Sequence, residues 1–237
     1  MTDFCELRDE PVRETIVVLS RRIEERFPAS GLAEVGRALI ELADENARVI
    51  EDLRRPLWWL RALTIVAIGG LVALVGYAIL TLATMQTGSL PRFTELVQTV
   101  DAAVNELIFL SIAIFFLVSL ERRFKRNRAL AMIHKLRGIA HVVDMHQLTK
   151  DPEHVLGKME ATASSPKRVL TRFQLTRYLD YCSEMLSLIS KLAALQMQSM
   201  QDPIVLEAVT DVETLTNGLS RKVWQKITIL DTVREEG

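Results

Sequence analysis

The feature that most constrains this chain is a pair of long apolar segments, residues 57–85 and 102–120. The first has no charged side chain after Arg61, and the second has only Glu106, near its start. A membrane-spanning helix needs about 20 consecutive, mostly apolar residues. The alternative is a buried helix hairpin in a soluble protein, whose core helices rarely run uncharged for so long. The sequence therefore favours two transmembrane helices.

Basic residues beside these segments predict which side of the membrane the rest of the chain occupies. Lys and Arg near the ends of membrane helices are enriched on the cytoplasmic side. Three arginines flank the first segment, and the connection, residues 86–101, has Arg92 as its single basic residue. A basic cluster follows the second segment: Arg122, Arg123, Lys125, Arg126 and Arg128. We predict that both termini are cytoplasmic and that this cluster meets anionic lipid headgroups.

This topology divides the chain into five regions. We predict cytoplasmic N-terminal helices at 1–56, a first transmembrane helix at 57–85 and a short extracytoplasmic loop at 86–101. A second transmembrane helix at 102–121 and a cytoplasmic helical bundle at 122–237 complete the chain. Residues 1–56 lack the apolar stretch and cleavage site of a signal peptide. The expected location is the bacterial inner membrane, as a multi-pass protein.

The charged remainder has apolar residues at helical spacing. Helices are predicted at 9–27, 31–55 and 92–149, and proline-marked starts predict three more at 152–160, 166–200 and 203–235. Two apolar series alternate steps of three and four, as in a bundle or coiled-coil seam: Leu175, Tyr178, Cys182, Met185, Ile189 and Leu192, then Val205, Ala208, Val212, Leu215 and Leu219. The predicted class is all-α: a two-span transmembrane hairpin with a cytoplasmic helical bundle or coiled-coil-like domain.

All four histidines lie between residues 134 and 154. On a helix, the apolar side chains of this stretch fall on one side: Met132, Leu136, Ile139, Ala140 and Val143. The opposite side carries His134, Arg137, His141, Asp144 and Met145. We interpret this outward group as a contact surface for a partner or a second subunit, and a solvated face with intrahelical hydrogen bonds as the alternative.

A metal site is a further alternative for the same stretch, with His141, Asp144, His146 and His154 as candidate ligands. Of these, His141 and Asp144 alone have the spacing of ligands on one helical face, and two ligands do not complete a site. His134 and His141 are two turns, or roughly 10 Å, apart, which is too far to share an ion. We therefore predict neither a metal nor a cofactor.

An enzymatic alternative rests on Arg128 and His134. Their R-x5-H arrangement resembles the catalytic motif of all-helical HEPN-type ribonucleases, and the resemblance covers these two residues alone. It implies a membrane-tethered hydrolase, HEPN-like or metal-dependent, that uses the histidine stretch. A catalytic triad order, a phosphate-binding glycine loop and a dinucleotide fingerprint are absent. Topology also explains Arg128, so we predict a non-enzymatic protein that does not bind nucleic acid.

Two features inside the predicted spans concern assembly and conduction. Gly69, Ala73 and Gly76 form a stripe of small residues that predicts close packing between membrane helices. Glu106, near the outer end of the second span, would stand at the mouth of a homo-oligomeric channel. The channel and an accessory subunit of a larger complex are the alternative functions. The favoured one is a homo-oligomeric membrane scaffold, or coupling or signalling component, whose partners are lipid, further copies and other membrane or cytoplasmic proteins.

Overall fold

The computed structural model describes residues 7–85, 93–150, 152 and 170–232. These residues form six helices and no strand, so the all-α prediction is confirmed for this part of the chain. The helices are α1 (Asp9–Arg26), α2 (Gly31–Arg54), α3 (Trp58–Met85), α4 (Phe93–Leu148), α5 (Arg172–Ser199) and α6 (Pro203–Thr232). Helix α4 is continuous, as the absence of proline between residues 92 and 149 predicts.

The chain divides into two compact units. One, the bundle unit, comprises Met1–Arg54 and Arg126–Gly237, and the other, the apolar unit, comprises Arg55–Lys125. Helix α4 contributes to both. The bundle unit contains the hydrophobic core, whereas most side chains of the apolar unit are exposed.

Helix α5 is the central element of the bundle unit. All six residues of its predicted seam, from Leu175 to Leu192, are buried, and so are Leu179, Leu186 and Ala193 on other sides of the helix. Helices α1, α2 and α6 contact α5, and the buried side chains of α4 belong to the same core. A helix buried on several sides is apolar around most of its circumference, which the sequence of α5 provides.

The start of α5 differs from the prediction. The "SSPK" sequence predicted a helix from residue 166, but Leu170 and Thr171 are not helical. Thr171 is the N-cap: its hydroxyl accepts from the amide of Gln174, and the Gln174 side chain accepts from the amide of Thr171 at 3.0 Å. This reciprocal pair is a capping box, which satisfies two amides that a helix start leaves free. The predicted helix at 152–160 lies outside the described residues, apart from Pro152.

The buried seam of α6 is displaced by one residue at two positions. Val209 and Thr216 are buried where Ala208 and Leu215 were predicted, and both predicted residues are half-buried. Burial of Thr216 is tolerated because its hydroxyl donates to the carbonyl of Val212 at 2.9 Å. A threonine that satisfies its hydroxyl within its own helix can occupy a core position.

One polar pair crosses the core between α2 and α5. Asn46 Nδ2 donates to the Leu192 carbonyl at 3.2 Å, and Gln196 Nε2 donates to Asn46 Oδ1 at 2.7 Å. Both side chains are buried. Because a buried amide without a partner costs roughly 1–3 kcal/mol, this pair favours one axial register of α2 against α5.

Two helices are long and apolar enough to cross a membrane. The stretches Gly31–Tyr77 and Val104–Leu148 each contain an 18-residue apolar window, of which 6% and 0% is buried. In the first stretch the window belongs to α3, since α2 carries charged residues throughout. This statement rests on the length and composition of the two helices alone. The prediction of two spans requires helices of this kind.

Close packing of α1 on α2 generates a first prediction. A Cβ at Gly36 would lie 3.0 Å from Ser20 Oγ, whereas a Cβ at Gly218 would have no atom within 4 Å. We expect Gly36→Leu to lower the free energy of unfolding of the bundle by about 1–3 kcal/mol, because the leucine side chain overpacks this contact. Gly218→Leu should be neutral or stabilising, because it replaces a helix-interior glycine in open space. Thermal unfolding followed by circular dichroism checks both, and equal effects would contradict the packing.

A second prediction concerns the thiol of Cys182 in α5. Burial raises its pKa to about 12, although Lys226 and Lys150 act in the opposite direction. At pH 8 only about one thiol in ten thousand would then be ionised, against roughly a quarter for a free cysteine. In a Cys5→Ser variant we expect iodoacetamide to leave Cys182 unmodified until the bundle is denatured. Rapid labelling of the native protein would contradict its burial.

Candidate functional site

The predicted outward face of α4 is an exposed surface of the bundle unit. His134, Arg137, His141 and Met145 are exposed, and Asp144 is half-buried. On the opposite side, four of the five predicted core residues are buried, and Ile139 is half-buried against the core. The helical projection therefore places the two sides correctly within residues 129–148.

The outward face combines apolar and ionisable side chains. Met145 is 58% exposed and Leu148 is 62% exposed, and Val142 is exposed beside them. A Cβ at Gly138 would meet no atom within 4 Å. Asp144 Oδ1 accepts from Gln147 Nε2 at 2.6 Å. This intrahelical hydrogen bond is what a solvated face would show. The exposed apolar side chains are instead typical of a contact surface.

The candidate metal ligands are not brought together. Within residues 7–85, 93–150 and 170–232, no group of three or more His, Cys, Asp or Glu side chains is arranged to hold a metal ion. His141 and Asp144 lie on the outward face, His146 lines a pocket described below, and His154 lies outside the described residues. The structure thus divides the histidine stretch between two different surroundings.

The basic cluster after the second apolar segment is partly neutralised within the chain. Lys125 pairs with Glu121 at 3.2 Å, Arg126 with Asp202 at 3.7 Å and Arg128 with Asp52 at 2.7 Å. Arg122 and Arg123 are exposed and form no ion pair with any described residue. The ion pair with Asp52 gives Arg128 a structural role. Arg122 and Arg123 have no described carboxylate beside them and are accessible to an external anion.

Arg128 and His134 stand at different heights and on different sides of α4. They lie six positions apart on α4, which separates them by about 9 Å along the helix axis and roughly 120° around it. Arg128 is held by Asp52 of α2, and His134 faces outward. This placement gives the HEPN-like alternative no supporting geometry.

Glu121 ties the beginning of α3 to α4 inside the apolar unit. Its Oε1 accepts from the Leu57 amide at 3.4 Å, and Arg61 Nε lies 3.7 Å from Oε2. Lys125 completes the group from the next turn of α4. The position of Glu121 in the sequence does not indicate its partners. Its contacts with Leu57 and Arg61 depend on the approach of α3 to α4.

The other predicted positions in the apolar unit are exposed. Glu106 and Ala73 are accessible, and a Cβ at Gly69 or Gly76 would meet no atom within 4 Å. The small-residue stripe therefore makes no close contact within the described chain. Its packing between subunits and the role of Glu106 at a pore mouth both stay predictions.

A pocket of about 450 Å³ opens in the bundle unit between three segments. Its walls are the turn between α1 and α2, the C-terminal end of α4 and the start of α5. His146 packs on the turn: a Cβ at Gly31 would lie 2.2 Å from its Cε1 atom. Lys150 Nζ stands 5.3 Å from the ring centroid of Tyr178. Burial raises the pKa of the Tyr178 hydroxyl, which therefore stays neutral.

Sequence reasoning did not find this pocket. It named His146 only as a candidate metal ligand and Tyr178 only as part of an apolar seam, and it assigned no role to Arg26 or Lys150, which also line the walls. These residues lie on three separate segments, and no periodic pattern links them. Pro28 and Gly31 mark the turn in the sequence but do not indicate which helices meet there.

Comparison with known proteins adds no constraint. The chain matches no family model, no curated protein and no solved structure.

The geometry of the outward face generates a third prediction. In a Cys5→Ser background, a cysteine introduced as Met145→Cys should react rapidly with a maleimide in detergent. One introduced as Val143→Cys should react slowly, because Val143 is buried only two residues away. The matched pair is measured as labelling half-times by mass spectrometry. Similar half-times would show that residues 143 and 145 do not lie on opposite sides of the helix.

Proposed function

We propose that this chain is a two-span inner-membrane protein whose helical bundle lies in the cytoplasm and acts as a non-enzymatic scaffold. The observation that carries the proposal is the uncovered apolar surface of α3 and of the first part of α4. Phe115 is 74% exposed, and Phe109, Ile112 and Val118 are exposed on the same helix. No more than one residue in either 18-residue window is buried.

The free energy of this exposure supports a bilayer as its surroundings. Moving one large apolar side chain out of water is worth about 1.5–3 kcal/mol. The two helices expose many such side chains, and soluble monomers rarely expose contiguous apolar patches beyond a few hundred Å². Lipid would remove this cost without any further protein, and the helices satisfy their own backbone hydrogen bonds, as lipid requires.

Charge and aromatic residues support the proposed orientation. Glu121 places the start of α3 beside the part of α4 that carries Arg122 and Arg123. Trp58 is 75% exposed at this same end of the apolar unit, next to the exposed Trp59. Exposed tryptophans are typical of either membrane interface, and arginines are enriched at the cytoplasmic one. We place both termini on that side, with the two arginines at lipid headgroups.

The scaffold role rests on the outward face of α4. This face presents exposed apolar side chains among histidine and arginine, a mixture common at the centre of protein interfaces. We propose that further copies of the chain bind there. An accessory subunit would instead bind a different protein, and the mass of the complex purified in mild detergent distinguishes the two.

Membrane insertion and orientation are the fourth prediction. The full chain should remain in the membrane fraction after alkaline carbonate washing, because its apolar surface is in lipid. Ile112→Lys with Phe115→Lys should release it, since a lysine at the centre of a span costs about 2.5–3.5 kcal/mol. Thr210→Lys with Thr228→Lys, at exposed positions of α6, is the matched control. Tags at both ends should be protected from protease in intact spheroplasts.

The outcomes separate the parts of the proposal. A wild-type chain recovered in the soluble fraction would overturn insertion, and a tag cleaved in intact spheroplasts would overturn orientation. For the scaffold role, the cysteine introduced at position 145 should be protected in membranes relative to the chain diluted to a monomer in detergent. Equal reactivity in both states would overturn the contact on α4.

A further inference from the structure

We infer that the pocket between the α1–α2 turn, the end of α4 and the start of α5 binds a small phosphorylated ligand. The pocket lies entirely within the bundle unit, and nothing in the proposed scaffold role requires it. The inference therefore goes beyond that role and can fail independently of it.

The described lining residues include three basic side chains and no acidic one. Arg26, His146 and Lys150 line the pocket, and no Asp or Glu is among the described residues that line it. None of the three basic side chains forms an ion pair with a carboxylate in the described part of the chain. Arg26 and Lys150 lie instead against the rings of Phe173 and Tyr178. An anion that entered would meet donors that no described carboxylate neutralises.

A fourth cation stands behind this wall. Lys226 of α6 donates from Nζ to the carbonyl of Gln147 at 2.8 Å and to that of Lys150 at 3.2 Å. The ammonium group thus occupies the C-terminal end of α4, where free carbonyls would otherwise oppose an anion. These two hydrogen bonds engage carbonyls that would otherwise repel a phosphate.

The start of α2 adds donors at the opposite wall. The first amides of a helix lack partners within the helix, and Gly31 at this start lines the pocket. The side-chain oxygen of Ser30 accepts from the amide of Ala33 at 3.2 Å, and the amide of Gly31 donates to no described backbone carbonyl. Side-chain hydroxyls of Ser30 and Thr149 and the amide of Gln174 are further polar groups in the walls. These groups suit the several oxygens of a phosphoryl group better than the two of a carboxylate.

Size favours an organic phosphate over the bare ion. A pocket of about 450 Å³ falls in the range of small-molecule sites, roughly 300–1,000 Å³. Phe27, Pro28 and Leu170 supply apolar wall beside the basic groups. The phosphoryl group would meet the cations, and the remainder of the ligand would contact this apolar side.

The contact between His146 and Gly31 supplies a steric test. Because a Cβ at Gly31 would overlap the imidazole ring, any side chain there must push His146 aside. Gly31→Val therefore alters the pocket without removing a charge. Its matched control is Gly138→Val, which places the same side chain in open space on α4.

The experiment uses the full chain in dodecyl maltoside with pyrophosphate as the probe, at constant ionic strength. Calorimetric titration should show saturable binding at one site per chain. His146→Gln and Lys150→Gln should each weaken the affinity by about tenfold or more, because the first removes the imidazole donor and the second removes the ammonium group. Gly31→Val should weaken it similarly, whereas Lys191→Gln and Lys222→Gln, which change exposed residues elsewhere, should leave it unchanged.

Two results would overturn the inference. The first is no saturable binding at millimolar pyrophosphate by a chain whose thermal unfolding is cooperative. The second is binding that all variants share equally, which would indicate general attraction to surface arginines. In a further arm, phosphatidylglycerol presented in dodecyl maltoside micelles replaces pyrophosphate. Binding of this lipid without any binding of pyrophosphate would exclude a soluble phosphorylated ligand.

Discussion

Removal of apolar side chains from water is the constraint on which the rest of this structure depends, and the two units meet it differently. In the bundle unit, α5 is apolar around most of its circumference. Helices α1, α2 and α6 contact it, and the buried side chains of α4 belong to the same core. The apolar unit has only α3 and the first part of α4, and two helices cannot cover each other on all sides. The described part of the chain leaves most of these side chains uncovered, and this exposure underlies the proposed place in a membrane.

Helix α4 shows how one continuous element can serve both units. Between residues 107 and 120 it is apolar on every side, and from residue 129 its apolar side chains are confined to one face. Basic residues separate the two parts, and the structure distributes them unequally. Lys125, Arg126 and Arg128 are engaged by carboxylates, so Arg122 and Arg123 carry the charge that could meet lipid. A count of basic residues in the sequence overstates the free charge for this reason.

Much of the helical framework could be predicted because it depends on local patterns. The seam from Leu175 to Leu192 and the opposite faces around His141 both follow from a period of 3.6 residues, and both are present. The start of α5 could not be located in the same way, because the proline at 166 and the capping box at Thr171 are both plausible helix starts. At α6, steps of three and four leave neighbouring residues nearly equivalent, and packing against α5 selected Val209 over Ala208.

The sequence by itself determined the two apolar helices, the all-helical class and the separation of core and outward faces on α4. These properties follow from composition and periodicity within single segments, where neighbouring residues specify the local structure. Only the tertiary structure decided which basic residues are neutralised, how Asn46 meets Gln196 and that His146 joins Arg26 and Lys150 around one pocket. Each of these depends on groups far apart in the chain, and their positions are set by the packing of whole helices around α5.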